Sequence, residues 1–161
     1  MKKIILVRHG KSSWEHDVID HERPLKPRGI EDAHRVAQAF QKENMGIDLV
    51  LSSDAKRAAE TCSIFVKILK INHSNVIFQH NLYDFSGELL TQAIKSCSDS
   101  VNSLMVFGHN HAFTAFVNTF GSEFIDNVPT SGLVVLELDI NYWKDLKPGL
   151  TKLTIFPADL K

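Results

Sequence analysis

The sequence predicts an α/β protein: a three-layer sandwich with a mostly parallel central sheet, helices on both faces and an antiparallel edge hairpin near the C-terminus. Three observations predict it. Short continuous apolar runs, Ile4-Ile5-Leu6-Val7 and Leu104-Met105-Val106-Phe107, have the character of strands buried on both faces. Between such runs, apolar residues recur at helical spacing. Near the C-terminus Val134, Leu136, Leu138 and Ile140 alternate with Val135, Glu137 and Asp139, the period of a half-exposed strand.

Each element has its own signal. Pro27 and Gly29 punctuate the loop before a helix in which Ile30, Ala33, Ala37 and Phe40 share a face, and Gly46 marks the turn after it. Ile47 to Leu51 reads as a strand. Ser52-Ser53-Asp54 offers capping side chains for a helix whose apolar face is Ala58, Cys62, Phe65, Val66 and Leu69. Val76-Ile77-Phe78 is a short strand. Ser86 is placed to cap a helix carrying Leu89, Leu90, Ala93, Ile94 and Cys97. Phe113, Phe116, Val117 and Phe120 define a further helix, with Gly121 as its stop. Pro148-Gly149 turns the chain back into Leu153–Phe156.

Composition narrows the function classes. The chain has 161 residues, 43% hydrophobic and 23% charged, which suits one globular domain over 1–161. A formal charge of −1 gives no basis for a nucleic-acid surface, so any anion must be held by a few placed basic residues. The apolar run near the N-terminus is too short for a signal peptide or membrane helix, so a cytoplasmic protein is expected. Cys62 and Cys97 lack metal-binding or redox spacing and are expected as reduced thiols.

Three segments place polar residues where open α/β sheets collect ligands, beyond the carboxyl ends of the strands. They are Arg8-His9-Gly10, the stretch SSDAKRAAET with Arg57, and VFGHNH with Gly108-His109. Arginine presents a permanently charged fork that matches phosphate oxygens. A neutral imidazole nitrogen is a nucleophile that can accept a phosphoryl group, and histidine's usual pKa near 6.5 leaves a neutral fraction at pH 7. Gly10 is expected to let the backbone approach the ligand. No metal or other cofactor is called for if arginines and histidines supply the positive charge.

These motifs resemble the histidine phosphatase superfamily, which includes cofactor-dependent phosphoglycerate mutase. LVRHG is similar to its signature, SSDAKRAAET to its second motif of serine, arginine and threonine, and VFGHNH to its third. RHGKSSW followed by DHERPLKPRG resembles most closely the short, SixA-like phosphohistidine phosphatase branch. The likeness runs from Lys3 to about Phe120. It implies a phosphoglycerate mutase-like fold, with His9 as the phosphorylated nucleophile. It implies Arg8 and Arg57 on the phosphoryl group, His109 as the second histidine and Ser12 near the phosphate. Arg23 is placed either at the rim or bracing its loop through Asp20.

Larger relatives protonate the leaving group with a glutamate. Here the corresponding segment offers Asp84 and Glu88, neither in a clear motif. A phosphoramidate P–N bond needs less acid help than an ester, so a phosphohistidine displayed on a protein is the expected substrate, with inorganic phosphate as product. Rival expectations are a phosphatase for small phosphate esters, a phosphate-binding module without turnover, and a metal hydrolase built on His109 and His111. The last lacks a completing carboxylate or cysteine in sequence, and His111 reads better as a helix-start residue at the pocket edge. His16, His21, His34, His73 and His80 have no motif and are expected in loops or at the surface. Trp14 and Tyr83 could wall the pocket or pack beside it. Thr130-Ser131-Gly132 is expected as a turn.

Overall fold

Strands β1 (Lys2–Arg8), β2 (Leu49–Ser53), β3 (Val76–Gln79), β4 (Ser103–Gly108), β5 (Leu133–Leu138) and β6 (Leu150–Ile155) form one sheet in the order β3-β2-β4-β1-β5-β6. The computed structural model describes residues 1–160; Lys161, the end of the expected domain, lies outside the described residues. The β1–β4, β4–β2 and β2–β3 pairs are parallel, while β5 and β6 run antiparallel and complete the sheet at one edge.

Helices cover both faces. Helices α1 (Pro27–Gln41) and α2 (Lys56–Leu69) pack Ala33, Val36, Ala37, Phe40, Cys62 and Phe65 against Ile5, Val7, Met105 and Phe107. On the other face, α3 (Glu88–Lys95) and α4 (Ala112–Phe120) pack Leu90, Ile94, Phe113 and Val117 against Ile4, Leu6, Leu104 and Val106. Alternate residues of β1 and β4 therefore feed two cores, which explains why both strands are apolar throughout. Among the described residues, no helix is long and apolar enough to cross a membrane.

Two expectations change. The alternation over Val134–Ile140 does not mark a half-exposed strand: β5 is buried along nearly its whole length. It lies inside the sheet between β1 and β6, so Leu133 and Val135 enter one core while Val134, Leu136 and Leu138 enter the other. At that side of the sheet the exposed edge is β6, half of whose residues are accessible, as β3 is at the other. The second strand is shifted from Ile47–Leu51 to Leu49–Ser53, because Ser52 and Ser53 continue the ladder. Both serines are buried, with Ser52 Oγ donating to the Ser53 carbonyl.

The parallel strands β1, β2, β3 and β4 release their chains at the same edge. Chain order reverses between β1 and β4, which opens a crevice there.

Candidate active site

His9 leaves β1 and is held from three sides. Its backbone N–H donates to the Gly108 carbonyl, and Ser131 N–H donates to the carbonyls of Arg8 and His9. Ser131 adopts φ 61°, a left-handed conformation rare for a non-glycine residue, so the turn expected at Thr130–Gly132 is a packed wall of the site.

Gly10 has a packing role of its own. A Cβ there would lie 2.9 Å from the Gly29 carbonyl oxygen and 3.1 Å from Ser131 Oγ. A Cβ at Gly29 would lie 2.2 Å from the Lys11 carbonyl oxygen. The two glycines let the loop after β1 cross the start of α1.

The His9 ring has a defined tautomer. Nδ1 lies 2.7 Å from the Gly10 carbonyl oxygen, which can only accept, so Nδ1 carries the proton and Nε2 is left with its lone pair. Arg57 Nε donates to that Nε2 at 3.4 Å. Burial first, then the guanidiniums of Arg57, Arg8 and Arg23, push the His9 pKa down to about 3, outweighing the opposing bond to Gly10. His9 is thus neutral across the physiological range, with the Nε2 lone pair facing Arg57.

His109 follows β4, with its ring centroid 5.2 Å from that of His9. Its Nε2 lies 2.8 Å from Ser53 Oγ, a hydroxyl that can donate to it while accepting the Ala55 N–H. Burial, then His9 and Arg57, lower its pKa to about 2. Thr61 accepts the Gly10 N–H and donates to the Arg57 carbonyl. The serine, arginine and threonine of the second motif therefore each act: Ser53 orients His109, Arg57 faces His9, and Thr61 fastens the loop after β1.

Arg8, His9, Ser12, Trp14, Arg23, Arg57 and Asp20 all line one cleft of about 490 Å3. Arg8 Nη1 donates to the Val128 carbonyl at 2.8 Å. Four buried side-chain atoms lack a hydrogen-bond partner among the described residues: Arg8 Nε, His109 Nδ1, Ser131 Oγ and Gln79 Oε1. Three of those residues surround His9. Unpaired buried polar atoms cost about 1–3 kcal/mol each, so a ligand that pairs them gains that much.

Arg23 does both things expected of it. It lines the cleft, donates to Ser12 Oγ and the Ser13 carbonyl, and pairs with Asp20 at 3.0 Å. Trp14, 78% exposed, stacks over the Arg23 guanidinium at 3.2 Å.

Asp20 is the residue that the sequence reading undervalued. Arg57 Nη2 and Nη1 donate to its carboxylate at 3.0 Å and its carbonyl at 2.7 Å, and the Tyr83 hydroxyl donates to the same carboxylate. Partial burial pushes the Asp20 carboxyl up, but the bonds from Tyr83, Arg23 and Arg57 outweigh it and hold the group well below the usual carboxylate range. The Asp-x-x-Arg spacing to Arg23 was the available signal; nothing in sequence tied Asp20 to Arg57.

The two acid candidates are placed elsewhere. Both oxygens of Asp84 accept bonds at the start of α3: Ser86 N–H and hydroxyl on one, Gly87 and Leu90 N–H on the other. Asp84 thus caps α3, and the Ser86 hydroxyl, expected as the cap, adds an acceptor for the Glu88 N–H at 3.4 Å. Glu88 is exposed and lines a separate cleft between α3 and α4. His111 is an exposed helix-start residue, and Asn110 takes the rim position instead. Cys62 and Cys97 are unpaired, and burial pushes the Cys62 thiol up to about 12.

A fold with a catalytic-type histidine after β1, an arginine in α2 and a histidine after β4 defines a phosphoryl-handling class. The histidine phosphatase superfamily (branch 1) family model matches residues 4–87. The chain belongs to that superfamily. The protein histidine phosphatase SixA, solved with tungstate, superposes with a TM-score of 0.85 over 99% of both chains at 21% identity. A proposed phosphohistidine phosphatase SixA from Agrobacterium tumefaciens is 27% identical, with a TM-score of 0.76 over 86% of this chain and 92% of that one. An uncharacterized Mycobacterium tuberculosis protein, Rv1276c, is 28% identical over 93% of this chain and 98% of its own length. The phosphoglycerate mutase of Nautilia profundicola is 36% identical over 44% of this chain and 32% of the mutase.

Proposed function

We propose that this protein is a phosphatase that works through a phosphorylated His9 and acts on phosphohistidine displayed by another protein. The observation that carries the phosphatase reading is His9 itself: a neutral Nε2, 3.4 Å from Arg57 Nε, in a cleft also lined by Arg8 and Arg23. In the first step Nε2 attacks phosphorus, the Nε2–P bond forms and the substrate P–N bond breaks; the leaving imidazole, already protonated by solvent on its other ring nitrogen, keeps the P–N electron pair and departs neutral. In the second step water attacks phosphorus, the Nε2–P bond breaks, and inorganic phosphate leaves. Arg8 and Arg57 stabilise the equatorial oxygens. With Nε2 accepting the Ser53 hydroxyl, His109 carries its proton on Nδ1 and donates it to a phosphoryl oxygen.

What supports this substrate is that no carboxylic acid is positioned to protonate a leaving group among the described residues. Asp84 is consumed by capping, Glu88 lies in another cleft, Asp20 is held ionised and His109 is held neutral. An alkyl ester needs its leaving oxygen protonated; a phosphoramidate, whose imidazole leaves readily, does not. The mouth of the cleft supports a macromolecular substrate. Trp14 and Phe85, which line it, are 78% and 46% exposed, and large exposed apolar side chains at a cationic cleft suit a protein surface.

The test compares a phosphohistidine-bearing domain with a generic aryl phosphate. Acid-labile label should be trapped on the wild type and be absent from His9→Ala, with turnover down at least ~1,000-fold. Trp14→Ala should weaken turnover of the protein substrate about fivefold to tenfold and leave the aryl phosphate unaffected. Label retained on His9→Ala removes His9 from its role; stoichiometric phosphate binding without product selects the non-catalytic reading.

A further inference from the structure

Beside the catalytic cleft, a second set of histidines has a different company. His21 follows Asp20 in the loop before α1, Asp54 follows β2, and His80 follows β3. His21 Nε2 lies 2.8 Å from Asp54 Oδ1, and His80 Nδ1 lies 3.1 and 3.0 Å from Asp54 Oδ1 and Oδ2. The ligand atoms of all three residues fall within 4.8 Å of one another.

We propose that His21, Asp54 and His80 form a binding site for a zinc-class divalent cation, which braces the loop carrying Asp20 at the edge of the cleft. Tetrahedral zinc with ligands at about 2.0–2.1 Å sets neighbouring ligand atoms about 3.3 Å apart. The two histidine–Asp54 separations, 2.8 to 3.1 Å, need to widen by only a few tenths of an ångström, and the ligand atoms of the two histidines already lie within 4.8 Å of each other. Two imidazoles and one carboxylate select zinc, cobalt or nickel over magnesium or calcium, which prefer all-oxygen shells. His80 is 74% exposed at its side chain, which leaves water a fourth position.

A second observation points the same way. His21 Nδ1 faces Glu22 Oε1 at 3.2 Å. A carboxylate on the outer nitrogen of a ligating histidine fixes the tautomer that frees the other nitrogen for metal. Asp54 has no competing duty, since Ser53 Oγ takes the Ala55 N–H at the start of α2. Isolated exposed ion pairs contribute at most about 1 kcal/mol. Charge pairing alone therefore gives little reason for three loops to converge on one carboxylate.

The brace reaches the cleft through the chain itself. Asp20, one residue before His21, accepts from Arg57 and Tyr83, and the Tyr83 ring lies 5.0 Å from His21. Fixing His21 against Asp54 and His80 fixes Asp20 over Arg57.

Zn²⁺ titrated into the intact protein by calorimetry should bind one equivalent saturably, and Co²⁺ should give the visible spectrum of a tetrahedral N/O site without thiolate charge transfer. His80→Ala and Asp54→Asn should each weaken binding at least tenfold. Glu22→Gln, which leaves all three ligands in place on an exposed side chain, should weaken it about tenfold. Zn²⁺ should raise the melting temperature of the wild type and not of His80→Ala. His9→Ala should bind Zn²⁺ like the wild type, which separates this site from the catalytic histidines. Zinc affinity unchanged in both ligand variants, or Mg²⁺ bound as tightly as Zn²⁺, overturns the assignment.

Discussion

Two pairs of histidines sit along one edge of the sheet in nearly the same mutual geometry. His9 and His109 have ring centroids 5.2 Å apart at 52°, and His21 and His80 have theirs 5.6 Å apart at 48°. The first pair is buried among Arg8, Arg23 and Arg57; the second is open to solvent and faces the carboxylates of Asp54 and Glu22. Burial and arginines push His9 down, whereas the bond to Asp54 pushes His21 up. The difference shows that ring arrangement does not decide a histidine's chemistry. The charge around it does: cations and burial keep an imidazole neutral, and neighbouring carboxylates favour a positive charge beside them.

The cationic half of the comparison is broken most severely at Arg57, which touches both His9 and Asp20. Arg57→Ala should lower kcat/KM about 100- to 1,000-fold, measured as release of inorganic phosphate. Arg57→Lys keeps a charge but loses the fork that reaches His9 and Asp20 together, so it should rescue only a small part of the loss. Full rescue by lysine would mean that the site needs charge alone and not the bidentate geometry.

These two halves were unequally legible in sequence. Arg8, His9, Arg57 and His109 stand at fixed places after strands or at a helix start, so their convergence follows from strand order. His80 follows β3 in the same way, but β3 is short and its Ile77 and Phe78 are exposed, so no glycine or buried run announces the strand end. Asp20 and Asp54 come from separate loops with no shared spacing, and only the packed loops bring them beside Arg57 and His21. Asp84 was misread because a carboxylate before a helix can be an acid or a cap; four bonds to its two oxygens make it a cap. Strand β5 was misread because Glu137 alternates with aliphatics, although β6 and both helix layers shield the strand.

Holding the inner pair neutral has a cost that can be measured without substrate. Folding lowers His9 from the usual 6.5 to about 3 and His109 to about 2. Above pH 6.5 neither state binds the protons, and the stability is fully present. Between pH 6.5 and about 3 the unfolded chain takes up protons that the folded chain refuses, so stability falls as pH falls. Each histidine contributes a slope of up to about 1.4 kcal/mol per pH unit. Urea midpoints at pH 7, 6, 5 and 4 should decline, and His9→Ala should decline less steeply. Equal slopes in the two proteins would mean that His9 is ordinarily solvated and that burial does not set its protonation.

The smallest expected effect lies where the two halves meet. Asp20 accepts from Arg57 on one side and is joined to His21 on the other, so its carboxylate competes with a phosphoryl group for the same guanidinium. Asp20→Asn removes that charge and leaves the backbone carbonyl bond to Arg57 Nη1 intact. The Asp20 side chain is 44% exposed, so solvent screens much of the attraction. Tungstate or phosphate should bind the variant about threefold to tenfold more tightly by calorimetry, corresponding to roughly 1 kcal/mol. Weaker binding would show that Asp20 chiefly positions Arg57 and Arg23. The cationic cleft and the carboxylate cage would then be one cooperative unit, not neighbours contending over a shared arginine.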